Sequence, residues 1–397
     1  MQSPAQTPNE IWDLIAHHLN AIDRSHLQAL CLVTRWLYDI ALPHLYYDPF
    51  LGRLTRSRPA KLKQRLELCA VLMANQRIAD LVRVYRSDNS NGRNFPLDHR
   101  VELAILPRLR NLTSLYQHAS LGISVYECVS DRLQTLEVDG RQTQHTPEDL
   151  KRFWEWLDGQ QAIQRLSLQG VGAVDFVKYP RALRMLKTLM ADREAAMSIL
   201  PVRKVKRFYT LGEEYDEYLD DLIPLFDDGL NVIHLTILVS NIPLAFDLLR
   251  KHARGLRVIL ISLKPVTSTT GDDIEVKRAI YHALRGFPHL TELHVSFTRR
   301  VTGGGSNGRN KFLHAPLGGC EGCPHLASVQ WYITYIVFNG DHMLLYRIGH
   351  DVPAAKCAQK LQHEEHGDWY KANKLDEFDD CGEGKVFGAE KGLGTWS

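Results

Sequence analysis

The apolar residues of this chain follow two different spacings, and the first of them is helical. Ile11, Ile15 and Leu19 recur four positions apart, which predicts an amphipathic helix near the start of the chain. Two further apolar sets follow at helical spacing, and Pro43 is expected to stop or kink the third helix. Because three short helices bury little apolar surface by themselves, we expect this part of the chain to have a partner.

A different pattern starts near residue 106, where an apolar residue, two spacers, an apolar residue, one spacer and an apolar residue recur. The pattern occurs at 133–138, 163–168, 232–237, 256–261, 290–295 and 326–331, and more weakly at 112–115 and 205–208. Helices are predicted between these short strands at 150–157, 244–253 and 276–284. The first of these helices begins with a capping box, Thr146-Pro147-Glu148-Asp149.

The alternation of strand and helix predicts an α/β fold with a parallel sheet. Repeats of this kind cannot cover their own apolar face, so neighbours stack into a solenoid and leave one face of the sheet exposed for binding. The same alternation is also typical of an α/β hydrolase or oxidoreductase with a deep pocket. Four regions are predicted: 1–50 with three helices, 51–105 as a helical linker, 106–338 as the solenoid, and 339–397 as a polar, partly disordered tail.

Composition and charge exclude several classes of protein. The chain has 397 residues, of which 44% are hydrophobic and 24% are charged, so disorder throughout is excluded. Lys and Arg number 48 and Asp and Glu number 46, which argues against a polybasic nucleic-acid binder. The longest apolar stretch, 329–338, is about half as long as a bilayer span. The start of the chain lacks a signal-peptide pattern, and the seven mostly isolated cysteines fit a reducing compartment. We expect an intracellular protein, cytoplasmic or nuclear or both, that binds neither membrane nor nucleic acid.

The motifs for a metal or a dinucleotide cofactor are incomplete. Cys320-Glu321-Gly322-Cys323 has the spacing of a zinc knuckle but lacks a second pair of ligands. The glycine run at 303–308 satisfies G-x-G-x-x-G, but Pro316 and further glycines follow it instead of a phosphate-binding helix. His363 and His366 are three positions apart, one short of the spacing in a zincin helix. These observations count against the α/β hydrolase or oxidoreductase alternative.

The helical start of the chain carries a motif that resembles an F-box. It comprises Pro8-Asn9-Glu10-Ile11, the stripe described above, Cys31-Leu32-Val33-Thr34-Arg35-Trp36 and His44-Leu45-Tyr46. Thr7 stands where the family has a leucine. With the irregular, leucine-rich-repeat-like segments that follow, the whole chain is similar to the F-box proteins that are abundant in fungi.

This resemblance implies a substrate-recognition subunit of a Skp–cullin–F-box ubiquitin ligase. In that family the F-box docks on the Skp-type adaptor, and through it on the cullin, while the repeats hold a target protein. Because other subunits transfer ubiquitin, the resemblance implies that this chain is not an enzyme and needs no cofactor or metal. The residues implied for adaptor binding are Pro8, Ile11, Ile15, Leu19, Leu27, Leu30, Val33 and Trp36. A scaffold that binds a partner without joining a ligase is the alternative.

Outward strand positions are the candidate contacts to a target protein. These residues are His234, Thr236, Arg257, His294 and Gln330. Arg207, Arg257 and His294 favour an acidic or phosphorylated ligand, because cationic donors form strong hydrogen bonds to such groups.

Overall fold

The computed structural model divides the chain into two compact units, Met1–Leu186 and Lys187–Ser397. The structure describes residues 8–22, 24–50, 58–87, 99–117, 126, 129, 131–140, 146–173, 175–211, 216–263, 287–301, 328–339 and 342–353. In each unit helices accompany a parallel sheet, so the predicted α/β class is confirmed. Several predicted features lie outside the described residues: Thr7, the helix at 276–284, the glycine run at 303–308, the Cys320–Cys323 motif and the His363–His366 pair.

The helices of the first unit include three where the sequence predicts them before residue 50. They are α1 (Asn9–Ile22), α2 (Arg24–Cys31), α3 (Arg35–Tyr47), α4 (Arg58–Ala74), α5 (Gln76–Ala79), α6 (His99–Ile105) and α7 (Pro147–Gly159). Thr34 caps α3, since its hydroxyl accepts a hydrogen bond from the Leu37 backbone at 3.1 Å. Pro43 lies inside α3 and does not end it, because a proline removes only its own backbone donor.

The strands of the first unit pair in chain order, and all of them are parallel. They are β1 (Val84–Arg86), β2 (Ser114–Gln117), β3 (Thr135–Asp139) and β4 (Arg165–Gln169). β1 lies in the region predicted as a helical linker, because three residues are too few to establish a period of two.

The second unit repeats this arrangement and ends with one antiparallel strand. Its strands are β5 (Thr188–Ala191), β6 (Arg207–Thr210), β7 (Val232–Ile237), β8 (Val258–Leu263), β9 (Glu292–Val301), β10 (Ser328–Asn339) and β11 (His342–Pro353). Its helices are α8 (Arg193–Ile199), α9 (Leu219–Leu222) and α10 (Ile242–His252). β5 to β10 are parallel in chain order, and β11 is antiparallel to β10. β11 falls in the region predicted as a polar tail.

Every predicted repeat segment overlaps a strand, and in all of them except 232–237 the strand begins two residues after the first apolar position. Leu256, for example, precedes β8 and is fully buried. The segment predicted at 232–237 is displaced by two residues, because Val232 pairs with Val258. This register makes Leu230, which is also buried, the equivalent of Leu256.

One backbone hydrogen-bond pattern recurs at the start of successive strands. The Arg83 carbonyl accepts the N–H groups of Thr113 and Ser114, at 2.8 and 3.0 Å. In the second unit, the Lys206 carbonyl accepts those of Asn231 and Val232, at 2.8 and 3.2 Å. The same pair of bonds is made by the carbonyls of Thr113, Gln134, Lys187, Asn231 and Arg257. The chain therefore enters each of these strands in the same way, although the intervals between strands differ.

Two helices, α7 and α10, can be compared with the capping box and the apolar spacing that predicted them. α7 begins with the predicted capping box: Thr146 accepts a hydrogen bond from the Asp149 backbone at 3.1 Å, and its own N–H donates to the Asp149 carboxylate at 3.2 Å. α10 overlaps the predicted helix at 244–253, but Leu244 is exposed. The buried stripe of α10 consists of Ile242, Ala245, Phe246 and Leu249.

Candidate interaction surfaces

The three N-terminal helices have a small core of their own. Ala16, Leu27 and Ala41, one from each helix, are fully buried against one another. The partly buried side chains around them are Leu19, Leu30, Cys31, Ile40 and Leu45. This core is closed by residues on one side of each helix and leaves their other sides for solvent or a partner.

The residues implied for adaptor binding separate into an inward and an outward group. Leu19, Leu27, Leu30 and Trp36 face inward: the first three belong to the helical core, and Trp36 packs edge-on against Trp12 with ring centroids 5.8 Å apart. The outward group, which is exposed, consists of Pro8, Ile11, Ile15 and Val33.

Two further large apolar residues join the outward group, and sequence analysis missed both as site residues. Leu14 is 67% exposed and Leu32 is 87% exposed, while the neighbouring Val33 is 65% exposed. Leu14 lies three positions after Ile11 and one before Ile15, a spacing that could have identified it. We call the set Ile11, Leu14, Ile15, Leu32 and Val33 the helical apolar face.

The two parts of the helical apolar face lie on neighbouring segments. Ile11, Leu14 and Ile15 share one side of α1, while Leu32 and Val33 form the turn between α2 and α3. The contact between Trp12 and Trp36 brings the start of α1 to the start of α3, close to that turn. Exposed apolar groups that cluster in this way mark an interaction surface more often than scattered ones do.

Residues at the end of α3 contact β1 and the residue that precedes it. Asp48, just after α3, forms an ion pair with Arg86 of β1 at 2.9 Å, and the Arg86 guanidinium lies over the Tyr116 ring, 4.0 Å from its centroid. The Tyr47 carbonyl accepts the Arg83 N–H at 3.0 Å. Within the first unit, these contacts hold the end of α3 in a defined position relative to β1 and β2.

Tyr85 of β1 and Glu102 of α6 form a buried polar pair. The Tyr85 hydroxyl donates a hydrogen bond to the Glu102 carboxylate at 2.7 Å, and both side chains are buried. Burial raises the pKa of Glu102, against the opposing effects of this hydrogen bond and of the Arg65 charge. Burial also raises the pKa of the nearby Cys69 thiol to about 11, so Cys69 is protonated and unreactive at neutral pH.

The outer face of the second sheet contains two of the residues predicted to bind a target. Ile233 and Leu235 of β7 are buried, while His234 and Thr236 alternate with them and are partly exposed. The register places in one row Tyr209, His234, Leu260, His294 and Gln330. The structure thus brings the positions of three predicted contacts together, although the side chains of His294 and Gln330 lie outside its described part.

His234 and Thr236 are tied to neighbouring strands. Nε2 of His234 is 2.8 Å from the Ser262 hydroxyl, and its ring centroid is 6.3 Å from that of Tyr209. Burial lowers the pKa of His234, so its ring is neutral at pH 7. The Thr236 N–H donates to the Thr210 hydroxyl at 3.0 Å. His234 therefore offers a neutral, oriented imidazole to a ligand, and not a cation.

Exposed cations lie where the strands of the second unit begin. Lys206 immediately precedes β6, Arg207 is its first residue, and Arg257 immediately precedes β8. All three are exposed, and no carboxylate among the described residues forms an ion pair with them. We call Lys206, Arg207 and Arg257 the basic edge.

Among the residues that the structure describes, no group of three or more His, Cys, Asp or Glu side chains is placed to hold a metal ion. None of the described helices combines the length and the apolar character that a membrane crossing requires. Comparison of the sequence with known protein families gave no match, and comparison with curated proteins gave none either.

Proposed function

We propose that the chain is the substrate-recognition subunit of a Skp–cullin–F-box ubiquitin ligase. Residues 1–50 would be the F-box, and the sheets would be an irregular leucine-rich-repeat solenoid that holds a target protein. The observation that carries the proposal is the helical apolar face, a set of large apolar side chains left exposed on helices whose core is already closed.

The exposed side chains are the ones that an adaptor would cover. Of the residues that the F-box resemblance implies for adaptor binding, the exposed ones are Pro8, Ile11, Ile15 and Val33. Burying one large aliphatic side chain fully stabilises an interface by about 1.5–3 kcal/mol. Several such side chains would contribute this free energy against the cost of association.

The solenoid part of the proposal is supported by the repeated entry into each strand. Within each unit, parallel strands follow one another in chain order, and the same pair of backbone hydrogen bonds recurs at their starts. Stacked repeats have this organisation, since each repeat contacts mainly its neighbours in the chain. Their outer face, with His234 and Thr236, is the candidate surface for the target.

The test is co-expression of the full chain with a Skp-type adaptor, followed by pull-down and gel filtration. The informative variant is Val33→Glu, because Val33 is 65% exposed and its loss leaves the helical core intact. The matched control is Val177→Glu, since Val177 is 88% exposed and lies outside the three N-terminal helices.

The proposal requires that the unmodified chain and Val177→Glu form the complex while Val33→Glu loses it, with all three proteins equally folded by circular dichroism. A carboxylate forced into an apolar interface should weaken the complex about 100-fold or more. If folded wild-type chain forms no complex, the ligase proposal fails and a ligase-independent scaffold takes its place.

A further inference from the structure

Among the described residues of the second unit, no carboxylate forms an ion pair with the basic edge. Two carboxylates lie in the turn that leads to β7, and both are engaged. Asp227 pairs with Lys204 at 2.9 Å, and Asp228 accepts the Arg254 N–H at 3.1 Å. Within the part of the chain that the structure describes, neither of these carboxylates neutralises the basic edge.

We propose that the basic edge binds a carboxylate-rich, extended segment of a partner protein, which crosses the starts of β6, β7 and β8. This inference deepens the proposed function, because it assigns the chemistry of the target that the sheet would hold. Only the identification of that partner as the ligase target rests on the proposed function. The binding itself requires no adaptor.

The spacing of the cations favours several separate carboxylates. Lys206 and Arg207 stand at the start of β6 and Arg257 at the start of β8, with β7 between them. Neighbouring strands are about 4.8 Å apart, so the two positions are separated by about 10 Å. An extended peptide advances about 3.3 Å per residue, so side chains on one face recur about every 6.6 Å and separate carboxylates can lie against the two positions.

The residues beside the basic edge also favour a peptide over a nucleic acid. Val232 and Val258 are partly exposed next to the cations, and the Tyr209 and Leu260 side chains follow on the same face. An extended peptide has apolar side chains to place against these residues. The exposed Glu292 is the first residue of β9, the strand next to β8, so an anion follows the three cations along this edge. The surface therefore lacks the long run of cations that a phosphate backbone requires.

The test uses the full chain without any adaptor and measures fluorescence anisotropy of a labelled peptide. The probe has about 12 residues, enough to span the three strand starts, with alternating Glu and Ser. A Gln–Ser peptide of the same length is the neutral control. The variant K206Q/R207Q/R257Q removes the basic edge, and K151Q/K178Q/K251Q removes three exposed cations elsewhere for the same change in net charge.

We expect the Glu–Ser peptide to bind with an affinity that falls as salt rises, and the Gln–Ser peptide not to bind. Loss of the basic edge should weaken binding about 10-fold or more, while the control variant should stay within about 2-fold of the wild type. Equal weakening by both variants, no binding of the Glu–Ser peptide, or tighter binding of a single-stranded oligonucleotide would each overturn the inference. A chain that binds this peptide but no adaptor would uphold the inference and overturn the receptor proposal.

Discussion

The buried pair Tyr85–Glu102 provides a sharp test of how the first unit is held together. Glu102 is 2% exposed, and its carboxylate accepts the Tyr85 hydroxyl at 2.7 Å. Replacing Glu102 by Ala leaves that hydroxyl buried without an acceptor, which costs about 1–3 kcal/mol. The lost methylene contacts raise the total loss in unfolding free energy to about 3 kcal/mol.

Replacing Glu102 by Gln should instead increase the free energy of unfolding at neutral pH. Gln keeps an acceptor for Tyr85 and carries no charge. Because burial raises the pKa of Glu102, the folded state binds its proton more tightly than the unfolded state does. The resulting stabilisation is complete below the unfolded pKa and is lost as pH rises through the folded pKa. The wild type should therefore lose stability relative to E102Q as pH increases, by about 1.4 kcal/mol for each unit of pKa shift.

Urea denaturation followed by tryptophan fluorescence, at about pH 4, 6 and 8, measures these differences. The control variant is E155Q, since Glu155 is exposed on α7 and its distance of 3.8 Å from Lys151 makes only a weak surface pair. E155Q should stay within about 0.5 kcal/mol of the wild type at each pH. If E102Q and wild type show parallel pH profiles, or if E102A is as stable as wild type, the reasoning about this buried pair is refuted.

Three further predictions concern the first unit. Thr146→Ala removes the capping box of α7 and should cost about 1 kcal/mol in urea denaturation, and a neutral result would contradict its role. Alkylation followed by mass spectrometry should label Cys31 before Cys69, because Cys69 is buried and its pKa is about 11, so preferential labelling of Cys69 would be inconsistent with its burial. A double-mutant cycle with Asp48→Asn and Arg86→Met should give a coupling of about 0.5–2 kcal/mol, and strictly additive effects would show that the ion pair contributes nothing.

The α/β class and most strand positions could be predicted from the sequence, because alternating burial leaves a short apolar pattern. The displaced segment at 232–237 shows the limit of this signal. Leu230 and Val232 are both apolar, so either can serve as the first position, and only the pairing of Val232 with Val258 decides between them. β5 was missed since four residues carry little periodicity.

The candidate surfaces were harder to predict, because a hydrophobic pattern does not state which side of a helix is covered. Leu27 and Val33 are equally apolar in sequence, but the first fills the helical core and the second is exposed. For the sheet, strand alternation correctly placed His234 and Thr236 away from the core. The neutral state of His234 depends on its burial, which only the packing reveals.

Adaptor binding by the helical apolar face is tested most directly by the affinity of the purified full chain for a purified Skp-type adaptor, measured by isothermal titration for wild type, Val33→Glu and Val177→Glu. We expect a one-to-one complex for wild type and Val177→Glu, and an affinity about 100-fold weaker or undetectable for Val33→Glu. Equal affinities for all three proteins, or the absence of binding by folded wild-type chain, would contradict it.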